Sequence, residues 1–181
     1  MTQYIGKEKS GAIFSPCERY RYSLWRWWGA PYAPQPADMV AFICLNPSTA
    51  DAILNDPTVT RCCNFAKRWG YSGMAMLNLF AHRDTDPKLM LLTNNPTGPL
   101  NDQAIREVAE ACAFRVAAWG AHGTHLSRDR AVSWLLRDLP LHCLTLTKGG
   151  HPGHPLYLSG ELKPILMENQ YSGGKQENGS H

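Results

Sequence analysis

This sequence has no long apolar run: nowhere do about 18 consecutive apolar residues occur, the length a helix needs to cross a bilayer. The opening residues, Met1 to Lys7, lack the apolar centre of a secretory signal, so a cytoplasmic protein without a membrane partner is expected. Charge is sparse. Charged residues make up 18% of the chain and the formal net charge is +3, a balance that neither demands nor excludes nucleic acid. None of the six cysteines forms a Cys-x-x-Cys pair, which argues against a zinc ribbon or a redox motif. Several lie in apolar runs and read as buried free thiols of a reducing compartment. Gly-x-Gly-x-x-Gly, a Walker-type loop and a nucleophile elbow are all missing, as are repeats and low-complexity blocks. His122 and His125 have no carboxylate or thiol at a metal-ligand spacing, so neither a metal nor another cofactor is expected.

What is present is enough chain, 181 residues with 44% hydrophobic side chains, for one domain with a sizeable core. The first dozen residues (1–12) read as flexible, residues 13–168 as a single α/β domain, and the Gly-rich residues 169–181 as a disordered polar tail. Aromatic alternation over residues 20–28 reads as an edge strand, with Tyr22, Trp25, Trp27 and Trp28 covering the core. Residues 39–45 are an apolar run, read as a buried strand. Asp56-Pro57 reads as a helix cap followed by Pro at the first helical position, and Gly70 ends that helix. A second buried strand falls at 74–80. A helix capped by Asn101 or Asp102 follows, then a third strand at 114–119, a helix capped by Ser127 and a fourth strand at 141–146. A short last helix is expected near 161–167. Strands alternating with helices predict a three-layer α/β/α sandwich around a central, mostly parallel sheet.

Right-handed crossovers bring the carboxyl ends of such strands to one rim, where α/β proteins bind ligands. The groups delivered there are Asn46, Asn78, the loop after Trp119, and His151 or His154. Asn46, directly before Pro47, is suited to hold a water or a ligand amide, or to shape an Asx-turn, and Ser48, Thr49 and Asp51 crowd the same bend. Asn78 sits in an otherwise apolar segment ending in Phe80. Its amide offers one donor and one acceptor, as a nucleobase edge requires, or else bonds to nearby backbone. The two His-Pro steps, at His151 and His154, hold an imidazole at a set angle for bonding a developing anion, and His154 is preferred. Leu156 and Tyr157 follow it directly. Asp51 is a candidate to activate a water, and Asp56 is first a helix cap. Arg61, Arg83 and Lys148, with Lys67 and Arg68, are candidates for a phosphate-binding rim.

Two family resemblances follow from these motifs. Tyr20-Arg21-Tyr22, Leu24-Trp25-Arg26, the run from Leu45 to Asp51, Asp56-Pro57-Thr58, Arg61-Cys62, Trp69-Gly70-Tyr71, Asn78-Leu79-Phe80-Ala81, Trp119-Gly120 and the run from His154 to Leu158 resemble a bacterial and phage family catalogued as domain of unknown function 1643. That resemblance covers about residues 13 to 166 and implies no activity. The order of motifs is also similar to the uracil-DNA glycosylase superfamily: Cys44-Leu45-Asn46-Pro47 after the first core strand, Asn78 at the end of the second, Trp119-Gly120 later, and His154-Pro155-Leu156 last. This second resemblance implies that Asn46 positions the attacking water, Asn78 reads the base and His154 stabilises the departing base anion. Leu156 would fill the gap left by a flipped nucleotide. The expected function is thus recognition of a nucleobase in nucleic acid or a nucleotide, with cleavage of its N-glycosidic bond. The alternatives are a non-catalytic nucleic-acid or nucleotide-binding module, or a nucleotide hydrolase or transferase using Asp51 or Asp56.

Overall fold

A strand buried on both faces needs apolar side chains at every position, and Met39–Cys44 (β3) meets that condition with six buried residues. In the computed structural model, which describes residues 2–48, 52–84 and 93–168, β3 lies inside a seven-stranded mixed sheet. The strands in chain order are β1 (Ser10–Phe14), β2 (Arg21–Trp27), β3, β4 (Gly73–Asn78), β5 (Phe114–Ala117), β6 (His142–Cys143) and β7 (Ile165–Leu166). Their order across the sheet is β1-β2-β4-β3-β5-β6-β7. Pairing is parallel for β4-β3, β3-β5 and β5-β6 and antiparallel for β1-β2, β2-β4 and β6-β7. The expected mostly parallel sheet is therefore parallel only at its centre.

The helix α1 (Pro57–Arg68) starts as the sequence predicts. Asp56 accepts from the Val59 N–H at 2.7 Å, Pro57 occupies the first turn, and Gly70 at φ +86° turns the chain back. Val59, Cys62, Phe65 and Ala66 of α1 pack on Val40, Phe42, Met74 and Met76, forming the core on one face of the sheet. Ile105, Val108 and Ala109 of α2 (Asn101–Ala111), with Val132 of α3 (Arg128–Leu135), pack on Ala41, Ile43, Ala75 and Leu77 to form the core on the other face. Alternate residues of each strand thus feed opposite cores, as a period of two requires. Emptying a fully buried site such as Phe42 would cost about 3–5 kcal/mol.

Several expectations are corrected. The aromatic segment is no edge strand: β2 runs between β1 and β4, and all seven of its residues are buried. Its period-two pattern conceals this because both faces carry large side chains, including Arg21 and Arg26. The first dozen residues hold Tyr4, which is buried, and the start of β1. Neither Asn101 nor Asp102 is the N-cap of α2. Leu100 occupies that position, and the Asn101 side chain is buried, donating to the carbonyls of Asn78 (2.9 Å) and Leu79 (3.0 Å). Ser127 does stand at the cap of α3, at φ +54° and with no side-chain capping bond. The fourth strand is only two residues long, and the expected last helix is replaced by β7, paired with β6. The expected tail at 169–181 lies outside the described residues. Among the described residues no helix is long and apolar enough to cross a membrane.

Candidate functional site

Parallel register aligns the strand ends. Cys44 of β3 faces Asn78 of β4, and Ile43 faces Ala117 of β5. Beyond the strands, Phe80 N–H still donates to Leu45 and Ala118 N–H to Ile43, so the chain leaves the sheet at one common rim. The segment after β6 returns to the same place, where Gly120 N–H donates to the Pro152 carbonyl at 2.9 Å. A cleft of about 820 Å³ opens there, within the roughly 300–1,000 Å³ usual for small-molecule sites.

Asn46 and His154 both line this cleft, from segments far apart in the chain. Asn46 is half-buried. Its Nδ2 donates to the carbonyls of Pro47 (3.2 Å) and Asp84 (3.0 Å), which leaves Oδ1 as its acceptor. His154 is held by the Pro-stiffened turn Pro155–Tyr157, and its Nδ1 accepts from the Leu156 N–H at 3.4 Å. That bond places the imidazole proton on Nε2, the nitrogen left to act as a donor. Burial pushes the His154 pKa below the ordinary imidazole value, opposed in part by the nearby Asp56 carboxylate, so the ring is neutral at pH 7. Gly120, at φ +71°, lies against it: a Cβ there would stand 3.9 Å from the His154 Cβ.

Ser48 and Asp56 share one wall. The Ser48 hydroxyl donates to the Asp56 carboxylate, whose other oxygen caps α1. Asp56 is itself set in place by Arg26. This buried guanidinium donates to Asn55 Oδ1 (2.7 Å) and to the carbonyls of Ala52 (3.1 Å), Leu54 (3.1 Å) and Trp25 (2.8 Å), pinning the approach to α1. Leu156 and Tyr157 stand at the mouth. Leu156 is 36% exposed and Tyr157 84%, with the Tyr157 ring 5.9 Å from the His154 ring. Thiol chemistry is disfavoured close by: burial pushes the Cys62 thiol well above its ordinary pKa, with the adjoining Cys44 adding to the effect.

Other candidates stand elsewhere. Asn78 is fully buried. With its amide turned so that the nitrogen faces acceptors, it donates to the carbonyls of Asn46 (3.2 Å) and Leu77 (3.3 Å), behind the cleft rather than in it. The residue expected to read a base is thus not among those lining the cleft, and its amide supports the Asn46 backbone. Phe80 is buried against His125, with ring centroids 5.6 Å apart, and does not line the cleft. His151 lines a neighbouring hollow of about 530 Å³ beyond Trp119 and Pro152. Arg61 donates to the Leu158 carbonyl and joins Lys67 and Arg68 around a hollow of about 250 Å³ on the outer side of α1, where Arg68 pairs with Glu161. Arg83 turns away, donating to the Glu18 carbonyl (3.1 Å) with its guanidinium over Phe14. Lys148 is exposed on the turn that follows Thr147 and does not itself line the cleft. Thr49 and Asp51 lie outside the described residues. Among the described residues no three His, Cys, Asp or Glu side chains form a metal-holding group.

Among the lining groups that sequence reasoning missed are Arg21, Thr58, Asp84, Thr145 and Thr147. For Arg21 the signal was an arginine flanked by Tyr20 and Tyr22 at the start of an aromatic strand. An antiparallel β2 begins where the parallel strands end, so its first residue arrives at the shared rim.

One family model, described as "Protein of unknown function (DUF1643)", matches residues 21–156, more than half of the chain. No curated protein and no solved structure matches the chain.

Proposed function

The chain belongs to the DUF1643 family, whose description carries no activity, and we propose that it is a nucleobase-recognising protein of uracil-DNA glycosylase type, a three-layer α/β/α domain that hydrolyses the N-glycosidic bond of an altered base in DNA or a nucleotide. The observation that carries this reading is the pairing of an amide acceptor, Asn46 Oδ1, with a neutral imidazole donor, His154 Nε2–H, in one cleft.

In this mechanism Asn46 Oδ1 accepts from a water and fixes it beside the sugar C1′. The C1′–N bond breaks, its electron pair leaving with the base, while the water oxygen bonds to C1′. The proton given up by the water ends on the departing base. His154 Nε2–H donates to the base oxygen on which negative charge develops, a role a neutral donor fills without first losing a proton. Leu156 and Tyr157, at the mouth, occupy the space beside an extruded nucleotide. Arg61, Lys67 and Arg68 neutralise flanking phosphates along α1.

One observation favours a second reading, a base reader without hydrolysis. Asn46 orients a water but cannot deprotonate it, and the Asp56 carboxylate is already engaged by Ser48 and the α1 cap. The same engagement counts against a nucleotide hydrolase or transferase with Asp56 as base.

Oligonucleotides carrying uracil and other altered bases test the proposal. Abasic sites should appear, and Asn46→Ala or His154→Ala should slow their formation about 100-fold or more, the usual effect of losing a transition-state hydrogen bond. Intact oligonucleotide bound in a salt-dependent manner selects the reader. Absence of both cleavage and binding rejects both readings.

A further inference from the structure

Asn46 orients a water without deprotonating it, yet the same cleft holds a hydroxyl already bonded to a base. The Ser48 hydroxyl donates to Asp56 Oδ2, and both residues line the cleft with Asn46 and His154. The serine is presented by fixed backbone. Pro47 before it is buried, and its carbonyl accepts from Asn46 Nδ2 (3.2 Å) and from the Asp84 N–H (3.4 Å).

The carboxylate is oriented in turn by a third group. The Val59 N–H at the start of α1 donates to Asp56 Oδ1 at 2.7 Å, so capping occupies one oxygen and Ser48 the other. A nucleophile within hydrogen-bond reach of a base, itself held by a third group, is the arrangement that activates serine. The Ser48 bond closes Asp56 to a water of its own and leaves it open to the serine's proton. Ser48 is only half-buried, so its oxygen stands in a wall that a ligand can reach.

We infer that Ser48 is the nucleophile of the cleft, and that the glycosyl group passes from the base to its Oγ before it reaches water. This inference rests on the base-site reading for the substrate, and on the Ser48–Asp56 pair for the route. In the first step Oγ bonds to C1′ and its proton passes to Asp56 Oδ2. The C1′–N bond breaks, its electron pair leaving with the base, to which His154 Nε2–H donates. In the second step the water held by Asn46 bonds to C1′ and the C1′–Oγ bond breaks. Oγ takes its proton back from Asp56, and the water's proton ends on the base anion. Two displacements at one carbon restore its configuration, whereas direct attack by water inverts it.

The test is the C1′ configuration of the first-formed product, read by proton NMR as the full chain acts on single-stranded oligonucleotides bearing uracil, hypoxanthine or xanthine. Methanol added as a second acceptor gives a methyl glycoside whose anomer cannot equilibrate. The β configuration of the substrate should be retained. Ser48→Ala should slow base release about 100-fold or more, and its residual product should be α. Asp56→Asn keeps an acceptor for the α1 cap but not the base, and should match that loss of rate with the near-ultraviolet circular dichroism of the wild type. Should either variant fail to fold, the wild-type anomer decides. An α product from the wild type overturns this inference and leaves the base-site hydrolase standing. A β product that persists in Ser48→Ala places the nucleophile elsewhere and overturns it too. Oligonucleotide bound but uncleaved overturns it and selects the reader, and absence of both binding and cleavage overturns it together with the base-site reading.

Discussion

Asn78 donates from its side-chain nitrogen to the backbone carbonyl of Asn46 at 3.2 Å, so one asparagine holds the other's main chain from behind. Replacing Asn78 with Ala strands a buried acceptor and leaves a small void. The expected loss is about 1–3 kcal/mol of stability, read by urea denaturation. Asn46→Ala should lose less stability and, under the proposed glycosidic function, most of the cleavage. An Asn78→Ala protein of wild-type stability with abolished activity would contradict this division of roles.

Arg26 anchors the segment that delivers Asp56 to the cleft wall. Arg26→Met keeps much of the apolar stem but leaves the carbonyls of Ala52 and Leu54 without their donor. A loss of about 3 kcal/mol is expected, with new protease sensitivity near residues 52–55. Asn55→Ala removes only the 2.7 Å bond to Nε and should cost about 1 kcal/mol.

Stability should decline on acidification for a stated reason. Burial lowers the pKa of His154, and also that of His142, whose ring stacks on Phe114 with centroids 4.1 Å apart. The unfolded chain protonates these imidazoles near their ordinary value of 6.5, while the folded chain does so only at lower pH. The unfolded state therefore binds more protons in that window, and stability falls as pH drops below about 6.5. Denaturation midpoints between pH 7.5 and 5 should show this slope, and His154→Gln should reduce it. An unchanged slope in that variant would place the titration elsewhere.

Two glycines should respond differently to alanine. A Cβ at Gly11 would stand 2.2 Å from Cζ2 of Trp25, a ring held by its bond from Nε1 to the Glu8 carbonyl. Gly70 has nothing within 4 Å of such a Cβ, and only its φ of +86° resists substitution. Gly11→Ala should lose about 1–3 kcal/mol through overpacking and Gly70→Ala about 1 kcal/mol through backbone strain, with Gly70→Asn milder still. Thermal midpoints should follow that order.

Locally encoded features were legible in the residues. The Asp56-Pro57 cap, the apolar run of β3 and the glycine that ends α1 each depend on neighbours a few positions away, where propensity and period decide. The meeting of Asn46 with His154 was also within reach, since it follows from parallel strands and the handedness of their crossovers. What escaped depends on distant partners. Whether residues 21–27 form an edge or a centre depends on β1 covering one side, which no pattern inside the segment reveals. Asn101 carries the signature of a cap, yet the buried carbonyls of Asn78 and Leu79 claim its amide. β7 exists only because β6 offers it an edge, so its apolar residues were read as a helix. Asn78 reads from the sequence as a polar group needing partners in an apolar place, and in the fold those partners are main-chain carbonyls.

The union of Arg21 with Ala81 has a consequence for how the protein is made. The strand that carries Arg21 waits for β4, and the His154 imidazole that lines the same cleft belongs to a segment far along the chain. The crevice can therefore close only when both segments are present, and its assembly must await distant loop closures of the kind that slow folding.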